Sequence, residues 1–158
     1  MNRCLTIVLL AGLLITPGQA RLGESIVKLK ERFGQPASQG RKDSNAAVWF
    51  FEVEDGQLVY TVTFNAKGQS IAEGLKPLKH AQFKRETVQD FIDSQMEPYR
   101  GSKTTRTVKP GENYSFAGKL LICAAQESII VDDPNGILIV WTRGGLPSVI
   151  VVGPEMMK

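Results

Sequence analysis

Three strand-like runs joined by links of only a few residues constrain this chain more than any other feature. Ala46–Val53 is rich in Val, Trp and Phe. Leu58–Phe64 alternates, with Leu58, Tyr60, Val62 and Phe64 on one face and Val59, Thr61 and Thr63 on the other. Between them, Glu54-Asp55-Gly56-Gln57 supplies an Asp-Gly pair that tolerates positive φ. Asn65-Ala66-Lys67-Gly68 leads into a weaker third run, Gln69–Leu75. Links this short cannot carry a crossover, so the runs must pair antiparallel.

Helical periodicity precedes this meander. Ile26, Leu29 and Phe33 share one face after Gly23-Glu24-Ser25, and Gly34 followed by Pro36 ends the segment. Gln35–Ser44 reads as a polar loop. A second helix is expected from an N-cap at Thr87, with Val88, Phe91, Ile92 and Met96 on one face and Pro98 closing it. Arg100–Gly111 has no apolar period and reads as an exposed loop. Strand-like runs follow at Tyr114–Ala117, Lys119–Ala125, Ser128–Val131, Ile137–Arg143 and Ser148–Val152. The fold class is therefore α+β, built as two helix-plus-antiparallel-meander units at residues 21–78 and 79–158. That element order is compatible with a tandem duplication sharing one core.

Residues 1–20 carry a different message. Arg3 precedes the unbroken apolar run Leu5–Ile15, and Pro17-Gly18-Gln19-Ala20 breaks it before small residues. This is the order of a secretory leader, cut in the Gly18–Ala20 region, and it implies a periplasmic or secreted location. The run is too short to span a bilayer, which takes about 20 apolar residues, so no transmembrane anchor is expected after cleavage. Cys4 lies ahead of most of the apolar run, where lipid attachment is not expected. Cys123 is then the single thiol of the processed chain, with no internal disulfide available. Its neighbours Leu120-Leu121-Ile122 and Ala124-Ala125 are apolar, which marks it as a buried structural cysteine. The formal charge of +3 falls to about +2 when Arg3 leaves, too mild to name a partner.

Catalytic and cofactor chemistry finds little support. Asp132-Asp133-Pro134-Asn135-Gly136 resembles a calcium loop, but position 12 counted from Asp132 is Arg143 where a closing Glu is needed. Pro-Asn-Gly there is turn chemistry. His80 is the only histidine, too few for a zinc site. A small hydrolase using His80 with a Ser or Asp remains an alternative reading, although no G-x-S-x-G elbow is present. No phosphate-binding glycine frame and no RNA-binding signature occur, so neither cofactor, metal nor nucleic acid is expected.

Two surfaces remain as candidates. Lys79, Lys84, Arg85, Arg100, Lys103 and Arg106 fall in the most basic stretch of the chain and suggest a cationic module for anionic lipid or glycan. The aromatics of the first sheet suggest a protein-binding face instead. Trp49 and Phe51 point to one side of their strand and Phe50 to the other. Trp49, Phe51 and Tyr60 are the contacts expected on an open face.

The segment from Gly23-Glu24-Ser25-Ile26 through Arg32-Phe33-Gly34-Gln35-Pro36, Trp49-Phe50-Phe51, Tyr60–Phe64 and Asn65–Gln69 resembles the SmpA/OmlA periplasmic domain and related β-lactamase-inhibitor-like modules. The resemblance covers Gly23–Leu75. It implies an envelope protein that works by binding protein surfaces through its sheet and loops. The chain is read as a non-enzymatic exported protein that recognises a protein or another envelope component. The tandem inhibitor-like members also imply a doubled unit.

Overall fold

The computed structural model describes residues 21–41, 47–53, 57–78 and 83–158. The expected leader at residues 1–20, the expected turn at Asp55-Gly56, Lys79 and His80 lie outside them. Helix α1, Ile26–Phe33, starts where the Ser25 hydroxyl accepts the Lys28 amide at 3.4 Å, which satisfies one orphan N–H. It stops at Gly34, whose φ of 76° is unstrained only for glycine and whose N–H returns to the Lys30 carbonyl. Strands β1 (Ser38–Arg41), β2 (Ala47–Val53), β3 (Leu58–Phe64) and β4 (Ser70–Pro77) follow. Helix α2 (Arg85–Met96) runs into a 3-10 turn, Glu97–Tyr99, that contains Pro98. Strands β5 (Arg106–Val108), β6 (Asn113–Phe116), β7 (Lys119–Ile122), β8 (Glu127–Asp132), β9 (Ile137–Thr142) and β10 (Ser148–Val152) complete the order, before a 3-10 turn at Pro154–Met157.

Eight strands form one antiparallel sheet in the order β1-β2-β3-β4-β10-β9-β8-β5, and β6 pairs only with β7. The α+β class and the antiparallel pairing follow the sequence. Three local expectations do not. The presumed loops contain β1 and β5, the two outermost strands of the sheet. Neither alternates in hydropathy, because an edge strand is held by its ladder bonds and need not bury a face. Helix α2 begins at Arg85 with Lys84 at the N-cap and no side-chain cap bond, so Thr87 lies inside the helix.

Both helices pack on one face of the sheet. Leu29 of α1 and Val88, Phe91 and Ile92 of α2 join Trp49, Phe51, Tyr60, Val62 and Phe64 from β2 and β3. Ile137, Ile139, Val149 and Val151 extend that core into β9 and β10, so both halves share it. On the opposite face, the β6–β7 hairpin covers the β8–β9 end. Tyr114 and Phe116 pack there with Val108, Cys123, Ile129, Val131, Leu138 and Val152.

The hairpin turns at Ala117-Gly118, with φ of 50° and 75°. Two successive positive φ values match a type I′ turn, which suits the twist of paired strands. Ala117 is the only non-glycine residue at positive φ among the described residues. Its amide donates to Asp133 Oδ1 at 2.8 Å, which holds the strained position. Ala117→Gly keeps that amide and relieves the Cβ clash. It is expected to stabilise the protein by roughly 0.5 kcal/mol, read as a higher denaturation midpoint. A lower midpoint would mean that Ala117 packing outweighs the backbone term.

Candidate functional site

One row of residues across the sheet shows where the molecule is open. Strand register aligns Phe50, Thr61, Gly74, Ile150, Val140 and Ile129 in succession. At the β8 end, Ile129 is fully buried beneath the hairpin. At the β2 end, Phe50 and Thr61 stay partly exposed, and Ile150 is 39% exposed. Thr63 and Val48 flank the row on the same face and are also partly exposed. The face opposite the helices is thus covered at one end and accessible at the other. Gly74 keeps the row flat. A Cβ there would lie 2.8 Å from Ile150 Cγ2 and 3.2 Å from the Val149 carbonyl.

The aromatics expected on an open face are inside the protein. Trp49, Phe51 and Tyr60 are buried under α1 and α2, so they are not surface contacts. Phe33 stacks on both Phe51 and Tyr60, with centroids at 5.4 and 4.7 Å. The strand alternation correctly put Phe50 opposite them. Which side met the helices depends on helix placement, and no local pattern carries it.

Tyr60 instead belongs to a buried polar cluster. Its hydroxyl and Gln95 Nε2 both donate to Glu73 Oε2, the second at 2.9 Å. Gln95 Oε1 in turn accepts the Leu22 amide at 3.2 Å, tying the chain ahead of α1 to α2. Burial raises the Glu73 carboxyl above its ordinary range, against the opposing hydrogen bond from Tyr60. Burial and the neighbouring Glu73 also push the Tyr60 hydroxyl well up. An unfolded Glu ionises near pH 4.3. Above that pH, and up to the raised folded value, the native state holds the extra proton, so stability falls as pH rises through the window. Glu73→Gln removes this dependence and can still accept from Tyr60. It is expected to gain stability relative to the parent between pH 4 and pH 7, measured by denaturant midpoints. An equal difference at both pH values would refute the assignment.

The described residues of the candidate basic patch are spread over α2, the loop that follows it and β5. Lys84 and Arg85 sit at the start of α2, while Arg100 and Lys103 follow its far end. The twelve-residue helix, Arg85–Met96, is about 18 Å long. Arg106, on β5, lines a pocket of about 270 Å³ that also contains Asp133, an opposing charge. Lys79 and His80 lie outside the described residues. Cys123 is buried, as its neighbours suggested, and burial followed by Glu127 and Glu112 raises its thiol. No cluster of three or more His, Cys, Asp or Glu positioned for a metal occurs among the described residues. No helix among them is long and apolar enough to cross a membrane.

Asp132 opens the expected turn between β8 and β9, but it does more than turn the chain. Its carboxylate accepts Ser102 Oγ at 2.6 Å, Thr104 Oγ1 at 2.7 Å, Thr105 Oγ1 at 2.7 Å and Asn135 Nδ2 at 2.9 Å. It is fully buried and clamps the loop that follows α2. Sequence reasoning also passed over Trp141 and Arg143, which line a pocket of about 170 Å³ beside α2.

The fold has solved counterparts. An extracellular protein containing an SCP domain from Bacillus anthracis str. Ames matches 99% of this chain at 10% identity, with a TM-score of 0.50. A cysteine-rich secretory protein from Staphylococcus aureus subsp. aureus Mu50 matches 86% at 13% identity, with a TM-score of 0.46. This chain spans 50% and 46% of those proteins, about half of each. At these identities the likeness is one of fold. No family model matches, and no curated protein does. The Bacillus protein is an extracellular one.

The resemblance to SmpA/OmlA and inhibitor-like modules is corrected by these findings. The fold neighbour that reaches a TM-score of 0.50 is an extracellular protein containing an SCP domain, and no family model matches. The residues behind it are mainly punctuation. Ser25 caps α1, Gly34 ends it, and Asn65 Oδ1 accepts the Lys67 and Gln69 amides in the turn to β4. Any helix leading into a hairpin needs such residues, so they report local geometry rather than ancestry.

Proposed function

We propose that this is an exported, non-enzymatic binding protein that recognises a protein or another envelope component through the accessible end of its sheet. The observation that carries this reading is the partial exposure of Phe50 and Ile150 on a sheet face whose other end is capped by its own hairpin. An accessible apolar surface on a rigid sheet is what a docking partner covers. Thr63 on the same face offers a hydroxyl for orientation, and Thr61, whose Oγ1 donates to the Gly74 carbonyl at 3.3 Å, can still accept. The contacts assigned to this face are therefore Phe50, Thr61, Thr63 and Ile150.

A photoreactive residue at position 61 tests the proposal in extracts of envelope and secreted proteins. A discrete crosslinked partner is expected, and Phe50→Asp is expected to abolish it while leaving the circular dichroism unchanged. A crosslink that survives Phe50→Asp, or none at all, would remove the face from consideration.

A duplicated architecture also finds support. Each half runs from a helix into four strands of the shared sheet, and the last strands, β4 and β10, lie side by side at its centre. Superposing α1 with β1–β4 on α2 with β5 and β8–β10 tests it. The reading requires the two helices to coincide, and a helix displaced from its counterpart would end it.

A further inference from the structure

We propose that the groove between α2 and the β5 edge is a second binding site, which takes the free C-terminus of a polypeptide ending in a branched or aromatic residue. The groove is independent of the open sheet face. Its floor is apolar, formed by Ile92 of α2 with Ile130, Ile139 and Trp141 of the sheet. Its volume is about 170 Å³. An apolar cavity of about 150 Å³ accommodates benzene, so one bulky side chain fills this one.

The rim decides the charge of the occupant. Arg143 is the only charged residue lining the groove. Its guanidinium stacks over Trp141 at 4.6 Å from the ring centroid and donates to Ser128 Oγ. Those contacts preorganise it, and among the described residues it makes no ion pair. Asp93, next to Ile92 on α2, is held by Gln89 Nε2 at 2.8 Å, and none of Glu86, Asp90 and Asp93 lines the groove. A guanidinium braced on an indole ring, with no ion pair among the described residues, presents a two-toothed donor set suited to a carboxylate.

The edge strand supplies the third element. Among the described residues β5 pairs with β8 alone, so its outer edge has no described strand beside it, and its Thr107 lines the groove. An extended peptide added to this edge gains main-chain hydrogen bonds while its last side chain enters the groove. A free small acid would use the floor and Arg143 but not the edge. These three features together commit the site to a chain terminus.

Calorimetric titration tests this with acetylated hexapeptides ending in Leu or Phe, each as the free acid and as the C-terminal amide. The free acids are expected to bind at least roughly tenfold tighter than the amides. Arg143→Gln is expected to erase that difference, and Ile130→Glu to abolish binding, with Phe50-dependent crosslinking unchanged in both. Arg143→Lys should restore part of the difference, which a merely misfolded variant would not do. Equal binding of acid and amide overturns the proposal. So does 3-phenylpropionate binding as tightly as the peptides, or failure of both peptide acids to bind the parent protein.

Discussion

Phe51→Ala is expected to cost about 3–5 kcal/mol of folding stability, whereas Phe50→Ala, one position away, should cost about 1 kcal/mol or less. The two rings differ in what they leave behind. Phe51 is 1% exposed and packs against Phe33 and Trp49, so truncation opens a cavity inside the aromatic core. Phe50 stands on the accessible face, where solvent can occupy the space. Its loss should register in partner recognition instead. Chemical denaturation of the two variants separates the roles. Equal losses would mean that the face carrying Phe50 is also core, and the docking proposal would lose its surface.

Asp132→Ala is expected to cost about 2–4 kcal/mol, because hydrogen bonds to a charged group contribute about 1.5–3 kcal/mol each and are not additive. The total stays well below four such bonds, since Thr104 and Asn135 can turn to water. The pH dependence is specific. Burial by itself would raise the Asp132 carboxyl, but hydrogen bonds from Ser102, Thr104, Asn135 and Thr105 outweigh it and hold the group well below the usual range. A depressed folded value means that the contribution is complete above the unfolded value, near pH 3.9. It is lost as pH falls from there toward the folded value. Denaturant midpoints should therefore show Asp132→Asn far below the parent at pH 7 and closer to it at pH 2. A gap that does not narrow in acid would show that shape rather than charge holds the loop.

The two expectations also mark where sequence reasoning succeeds. Alternation in Leu58–Phe64 and the short Asn65–Gly68 link correctly specify antiparallel strands, because both signals are local. The Asp132–Gly136 turn is legible for the same reason: Pro-Asn-Gly chemistry lies within a few residues. Cys123 is buried as expected, but Leu120 and Ile122, the neighbours that suggested it, are 73% and 63% exposed, so its burial comes from packing under the hairpin. The clamp on Asp132 is not legible, since three of its donors come from residues 27 to 30 positions away. Glu73 is likewise silent in sequence. One polar residue in a strand looks like an exposed one until Tyr60 and Gln95 arrive from β3 and α2.

By itself, then, the sequence determined the strands other than the edge strands β1 and β5, that sequence neighbours joined by short links run antiparallel, and that Phe50 faces away from Trp49 and Phe51. These follow from backbone geometry with a period of two. Only the tertiary structure decided which of the two faces is buried, because both present aromatic residues and the choice depends on where two helices and one hairpin come to rest. It also brought Arg143 and Trp141 beside α2 and the β5 edge, a juxtaposition that depends on packing between segments distant in the chain.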